Sequence, residues 1–331
     1  MPANLPPQYY KLEKEFHQES DPGEKLRLAQ ELLAIMPKHK GTDKLQADMK
    51  SKIAKLKLQV ESGGARHGVH RTDPHSHVQR EGAAQILLIG APNAGKSSLL
   101  DLLTEAHPHI ADYPFTTREP LAGMFNWETV HFQLVDTPPV SAEHMELYLP
   151  NLVRHADLVL LVLDVSSPHW EQNLSEIRSR LLEKHIVLCG ADPPPAPDPM
   201  FLYKHTLLAA HKHDEEGGAK ALTSLALLAP GHTIVPTSVL DDACASALGA
   251  AFFAALGVMR VYTKRVGQEV ELIDPLVLPV GATVEDAARL THKDFAQKLQ
   301  FARVWGHGKF EGQRVTHSFA LTDKDVVEYH I

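Results

Sequence analysis

Residues 85–104 read "QILLIGAPNAGKSSLLDLLT", and the order of textures in this run decides the fold. Gln85–Ile89 is a short apolar, β-branched run of the kind that forms a buried strand. Gly90–Ser97 matches G-x-x-x-x-G-K-[ST]. Ser97–Thr104 carries leucines at helical spacing. Strand, glycine loop and helix in that order are the context a phosphate-cradling loop needs. The glycines let backbone N–H groups converge on phosphate oxygens, and the helix N-terminus adds its dipole. In such a loop Lys96 reaches the β- and γ-phosphates and the Ser97 hydroxyl ligates Mg²⁺.

Composition narrows what the rest can be. The chain has 331 residues, enough for two or three domains, and 44% are hydrophobic, enough for real cores. A net charge of −8 argues against wholesale electrostatic binding to DNA or RNA, so any nucleic-acid contact must be local. Cys189 and Cys244 make no disulfide framework, which fits a reducing compartment. No leader and no long apolar run is seen, so a cytoplasmic protein without membrane attachment is expected. The histidines of "HGVHRTDPHSH" (67–77) lack the spacing of a defined metal site and read as a polar linker.

Outward from the glycine loop, the pattern divides the chain. Residues 1–62 read as helices: "PGEKLRLAQELLAIM" starts after Asp21 and stops before Pro37, and "DKLQADMKSKIAKLKLQVE" puts Leu45, Met49, Ile53, Leu56 and Val60 on one face. Residues 38–57 hold seven lysines against two aspartates, a solvated face or a local RNA contact. Residues 63–80 form the linker. From 81 to 257 strand and helix alternate, with "VHFQLVD", "DLVLLVLDV", "HTLLAA" and "HTIVPTS" as the clearest strands. That alternation predicts an α/β domain with a mostly parallel sheet and helices on both faces. Residues 258–331 read as a small α+β module: "MRVYT" and "PLVLP" as a hairpin, a helix capped at Thr283, then "FARVW" and "DVVEYHI" as strands.

Three stretches, "GAPNAGKSS", "DYPFTTREP" and "LPVGATVEDAARLTHKDFAQKLQFARVWGHGKFEGQRV", carry a family likeness. The chain resembles Obg-class GTPases, in particular the developmentally regulated GTP-binding protein branch with a carboxy-terminal TGS domain. The resemblance implies a P-loop GTPase domain, a β-grasp TGS domain, GTP or GDP with Mg²⁺, and engagement of a ribosome or structured RNA.

It also implies a set of stations. Gly90, Asn93, Ala94, Gly95, Lys96, Ser97 and Ser98 would hold the phosphates. Asp112–Thr117 would be the first switch, with Thr117 joining Ser97 on Mg²⁺ and Lys96 and Thr117 serving catalysis. Asp136-Thr137-Pro138-Pro139 stands where D-x-x-G is expected, with Asp136 on the Mg²⁺ water shell. Pro139 departs from the glycine whose N–H normally meets the γ-phosphate, because proline has no N–H. Val140 stands where many GTPases carry glutamine, which implies slow hydrolysis. The base-reading station, N-K-x-D in the family, has two candidates, Cys189–Asp192 and His211–Asp214. The second is preferred: Lys212 and Asp214 both match, His211 replaces asparagine, and Ser238 in "PTSV" follows at a suitable distance. Asp214 would accept from guanine N1 and N2 hydrogens that adenine lacks. Asn93 resembles a residue that assists K⁺ in related GTPases. Two functions follow: a Mg²⁺-dependent, slow GTPase, or a non-catalytic module with an altered second switch and base station. An ATPase is disfavoured by Asp214. Phe301, Trp305 and Phe310 could stack on bases, though core packing is the expected use of at least two.

Overall fold

A computed structural model describes residues 12, 16, 22–36, 49, 52, 53, 78–104, 120–270 and 272–331. The chain divides into two compact units, Met1–Arg71 and Thr72–Ile331. In the first, helix α1 (Pro22–Ile35) matches the expected start and stop. Its apolar face buries Ala29 and Leu32, which share a small core with Met36, Met49 and Ile53. Met49, Lys52 and Ile53 are helical; the rest of the expected lysine-rich helix, and the linker as far as residue 77, lie outside the described residues.

In the second unit, strand β1 (Ala84–Gly90) is buried at every position. It feeds through the glycine loop into helix α2 (Lys96–Leu103). Then come β2 (Leu121–Trp127), β3 (Val130–Asp136), α3 (Leu149–His155), β4 (Leu158–Asp164), α4 (Trp170–Leu182), β5 (Ile186–Cys189), β6 (Leu202–His211), α5 (Gly218–Leu228), β7 (Ile234–Thr237) and α6 (Cys244–Leu256). The seven strands run in the order β2-β3-β1-β4-β6-β5, with β7 also on β6. β2 and β3 are antiparallel; the other pairings are parallel.

The continuous apolar runs of β1 and β4 are explained by helices on both sheet faces. Leu87 and Ile89 pack with Leu152, Leu174 and Leu225 of α3, α4 and α5. Ile86 and Leu88 point the other way, onto Leu99 and Leu100 of α2 and Leu248 and Phe252 of α6. Among the described residues no helix is long and apolar enough to cross a membrane.

The remainder forms a five-stranded sheet, β11-β10-β12-β8-β9, from β8 (Val258–Lys264), β9 (Leu276–Pro279), β10 (Phe301–Trp305), β11 (Gln313–Val315) and β12 (Asp325–His330). The expected hairpin is the antiparallel β8–β9 pair. Helix α7 (Val284–Thr291) begins with the expected Thr283 cap, in a reciprocal capping box with Asp286. Val284, Ala287 and Ala288 of α7 bury one sheet face against Val261, Val304 and Val327. Short helix α8 (Lys293–Lys298) follows. Phe301 and Trp305 are not core residues. They lie half-buried on the opposite face, and Phe310 is exposed. The reason is register: Ala302 and Val304 take the inward positions of β10, so their neighbours in the strand must point out.

The two sheets meet at the tip of the β2–β3 hairpin. Arg260 of β8, 5% exposed, donates to Glu128 at that tip and to Asp323, and its guanidinium lies 4.8 Å from the ring centroid of Phe253. The hydroxyls of Thr129 and Tyr262 are 3.0 Å apart.

Candidate nucleotide-binding cleft

The carboxyl ends of β1, β3, β6 and β7 open onto one cleft of about 1170 Å³. A parallel sheet places its connecting loops at that edge, where ligands commonly bind. The phosphate-loop residues Asn93–Ser98, the segment Asp136–Pro139, His211, Lys212, Asp214 and Ser238 all line it. Gly90 lies beneath, against the Val162 carbonyl: a Cβ there would sit 2.6 Å from that oxygen. Asp112–Thr117 and Arg118 lie outside the described residues.

The phosphate end is built from three groups. Lys96 is buried and donates to the Gly90 and Ala91 carbonyls at 3.2 and 3.1 Å, curling back over its own loop. Ser97 Oγ donates to Asp136 Oδ2 at 2.6 Å. Asp136 Oδ1 is buried with no hydrogen-bond partner among the described residues. Burial pushes the Asp136 carboxyl up, opposed by Ser97 and Lys96. Burial likewise pushes the Lys96 ammonium down, opposed by Asp136. A hydroxyl beside a carboxylate with one oxygen unclaimed is a donor set that suits Mg²⁺ and its water shell. Phosphates above Lys96 would offset its burial.

At the base end, β6 and β7 pair in parallel with His211 opposite Thr237, which brings residues 212–214 beside Ser238. Lys212 has φ 59, and its N–H donates to the Thr237 carbonyl at 2.9 Å. Its ammonium pairs with Asp164 at the end of β4, and that contact joins Ser166 in holding the Asp164 carboxyl low against burial. Asp214 is exposed, and the Ser238 hydroxyl is the largest cause lowering its pKa. His211 is buried with Nδ1 3.3 Å from Thr237 Oγ1. Its ring lies against Gly95, where a Cβ would come 2.2 Å from His211 Cδ2. Gly95 has φ 91 as well, so both conformation and space demand glycine. His211 thus props the Gly90–Ser97 loop from the end of β6. Burial first, then Lys212, lowers its pKa, opposed by Asp164, Asp214 and Glu215.

The competing aspartate, Asp192, follows β5 on an exposed loop and does not line the cleft. Val140, at the glutamine position, is 1% exposed and packs into the core with Tyr148 and Leu149; its N–H donates to the Gly90 carbonyl at 3.1 Å. Its side chain therefore points away from the cleft. The sequence reading missed His144, Glu146, Glu215, Val239 and Leu240, which also line it. Nearness in the chain to Asp136 was the signal for the first two.

Two family models match. One, described as "50S ribosome-binding GTPase", covers residues 85–190, and the TGS domain covers 259–329. An uncharacterised GTP-binding protein of Methanocaldococcus jannaschii is 25% identical, over 92% of this chain and 91% of the relative. Developmentally-regulated GTP-binding protein 2 of Homo sapiens is 22% identical, over 92% of this chain and 98% of the relative. Among solved structures, the Schizosaccharomyces pombe YchF GTPase matches with a TM-score of 0.56 at 14% identity, over 76% of this chain and 99% of that one.

Proposed function

Because the chain carries GTPase and TGS domains and its relatives include developmentally-regulated GTP-binding proteins along its length, we propose that it is an Obg-class, Mg²⁺-dependent GTPase with slow hydrolysis. One observation carries the reading: separate loops converge so that Lys96, Ser97 and Asp136 lie at one end of a cleft and Asp214 and Ser238 at the other. In this reading Gly90, Asn93, Ala94, Gly95 and Ser98 shape the phosphate cradle, Lys96 meets the β- and γ-phosphates, and Asp214 accepts from the guanine edge. Ser97 and, by resemblance, Thr117 would hold Mg²⁺ with Asp136 on its water shell, and the ion would supply charge neutralisation at the phosphates. Lys212 lends its stem to the base, and His211 takes over the loop-steadying part of the missing asparagine. Asn93 would serve a K⁺ ion beside the phosphates; hydrolysis faster in K⁺ than in Na⁺, and less so in Asn93→Ala, is the outcome this part requires.

The protein acts, in this reading, as a cytoplasmic factor on ribosomes or another structured RNA. On the outer face of the TGS sheet Arg303 stands between Arg314 of β11 and Glu328 of β12. Arg314 also lies 3.9 Å over the ring of Phe301, which stacks on His330 at 4.3 Å. A guanidinium capping an aromatic column suits unpaired bases.

A second reading, a binding module without turnover, is favoured by Pro139 and by His211 in place of asparagine. Mass spectrometry of the nucleotide that co-purifies tests the main reading. GDP or GTP is expected; adenine nucleotide, or none together with no binding of added GDP, would overturn it.

A further inference from the structure

The cleft holds a proton-accepting pair that none of the stations above uses. After β3 the chain is tied to the phosphate loop by the Val140–Gly90 hydrogen bond, and then makes a short turn. Ser141 brackets that turn: its N–H donates to the His144 carbonyl at 2.9 Å, and its hydroxyl accepts from the His144 N–H at 3.1 Å. The turn points His144 and Glu146 into the cleft beside Pro138 and Pro139. His144 Nε2 is 3.1 Å from Glu146 Oε1. With Nε2–H donated to that carboxylate, Nδ1 is the free acceptor, and no described residue holds it. The His144 side chain is 65% exposed, so solvent reaches it.

The other groups on the cleft wall are committed elsewhere. Asp136 is bonded to Ser97, and Lys96 can only donate. His211 is buried against Gly95 and Thr237. Asp214 and Glu215 follow β6 at the base end. Val140, where a glutamine would orient water, faces the core.

Resting on the GTPase reading, we propose that His144 orients the attacking water and takes its proton, and that Glu146 is a positioning residue that fixes the ring and its tautomer. The water oxygen bonds to the γ-phosphorus while the bond from that phosphorus to the β–γ bridging oxygen breaks. The bond's electron pair leaves with GDP. The water proton passes to His144 Nδ1, and the imidazolium, steadied by the Glu146 carboxylate, returns it to phosphate or solvent. The arrangement is an imidazole base held by a carboxylate, acting on water instead of a side-chain hydroxyl.

The test is single-turnover hydrolysis of GTP by the full chain with Mg²⁺, beside calorimetric affinities for GDP and a non-hydrolysable GTP analogue. His144→Ala is expected to slow turnover by about a hundredfold or more, with both affinities within about twofold of wild type. His144→Gln orients water but takes no proton, so it should recover part of that loss. Glu146→Gln should slow turnover by about tenfold with affinities unchanged. The unchanged affinities establish that the variants fold. Wild-type turnover in His144→Ala overturns the assignment while leaving the GTPase reading intact. A wild-type chain that binds GTP and never hydrolyses it overturns both. Loss of binding in both His144 variants would make the residue structural and overturn it as well.

Discussion

Asp214 and Asp192 separate two accounts of base recognition by a single substitution each. Asp214 stands beside Ser238 on the cleft wall, and Asp192 stands on an exposed loop away from it. Asp214→Asn should weaken GDP binding about ten- to a hundredfold, since it sets donor against donor at the guanine edge. Asp192→Asn should leave affinity unchanged. Calorimetric titration of the two variants decides, and the reverse pattern would move the base station to β5. Pro139 makes a second residue-scale case. It lines the cleft and has no N–H to offer a ligand there, which in the proposed function is the γ-phosphate. Pro139→Gly is expected to improve affinity for a non-hydrolysable GTP analogue by about 1.5–3 kcal/mol and leave GDP nearly unchanged. A wild-type chain that already prefers the analogue strongly over GDP would mean that another donor fills this place.

At the scale of elements, the β2–β3 hairpin joins the cleft to the TGS sheet. β3 ends at Asp136, and the hairpin tip carries Trp127, Glu128 and Thr129 against Gly249, Arg260 and Tyr262. Arg260→Leu removes charge-assisted bonds to Glu128 and Asp323. Both carboxylates are partly solvated and regain water, which limits the loss, so a destabilisation of about 1–3 kcal/mol is expected in urea unfolding. Arg260→Lys should recover only part of it, because an ammonium lacks the guanidinium fork. An unchanged unfolding midpoint would contradict this account of the junction. The hairpin also shows where sequence legibility stopped. β1 and β4 announce themselves as near-continuous apolar runs because helices cover both faces. β2, "LAGMFNW", is a half-buried edge strand broken by glycine and asparagine, and it gave no such signal. β11 has three residues, too few for any period. The stations at the strand ends were readable because their chemistry requires particular residue types in order. His144 and Glu146 had only nearness in the chain to Asp136 as a signal, since the turn at Ser141 is what brings them to the cleft. The expectation that at least two of Phe301, Trp305 and Phe310 pack in the core fails because hydrophobicity alone does not tell which face of a strand a side chain takes.

For the whole molecule, charge buried on folding sets the response to acid. Burial is the largest cause lowering the pKa of His205, His211 and His232. Each then binds a proton more readily unfolded than folded. Their contribution to stability is therefore complete above the ordinary imidazole range, near pH 6.5, and is lost as pH falls below it. Asp164, Asp323 and Glu328 are held low by their cationic and hydrogen-bonding partners, so their contribution survives to lower pH and is lost only below about pH 4. Urea midpoints should fall in two stages, first between about pH 7 and 5.5 and again below about pH 4. A midpoint flat across the first interval would contradict the buried neutral histidines. The central claim is that the cleft binds guanine nucleotide and hydrolyses GTP. Nucleotide-free protein mixed with limiting GTP or ATP, with and without Mg²⁺, and followed for released phosphate, tests it most directly. Slow release from GTP that needs Mg²⁺, with none from ATP, is the predicted result. Release from ATP at the same rate, or GTP held in the cleft and returned intact, would contradict it.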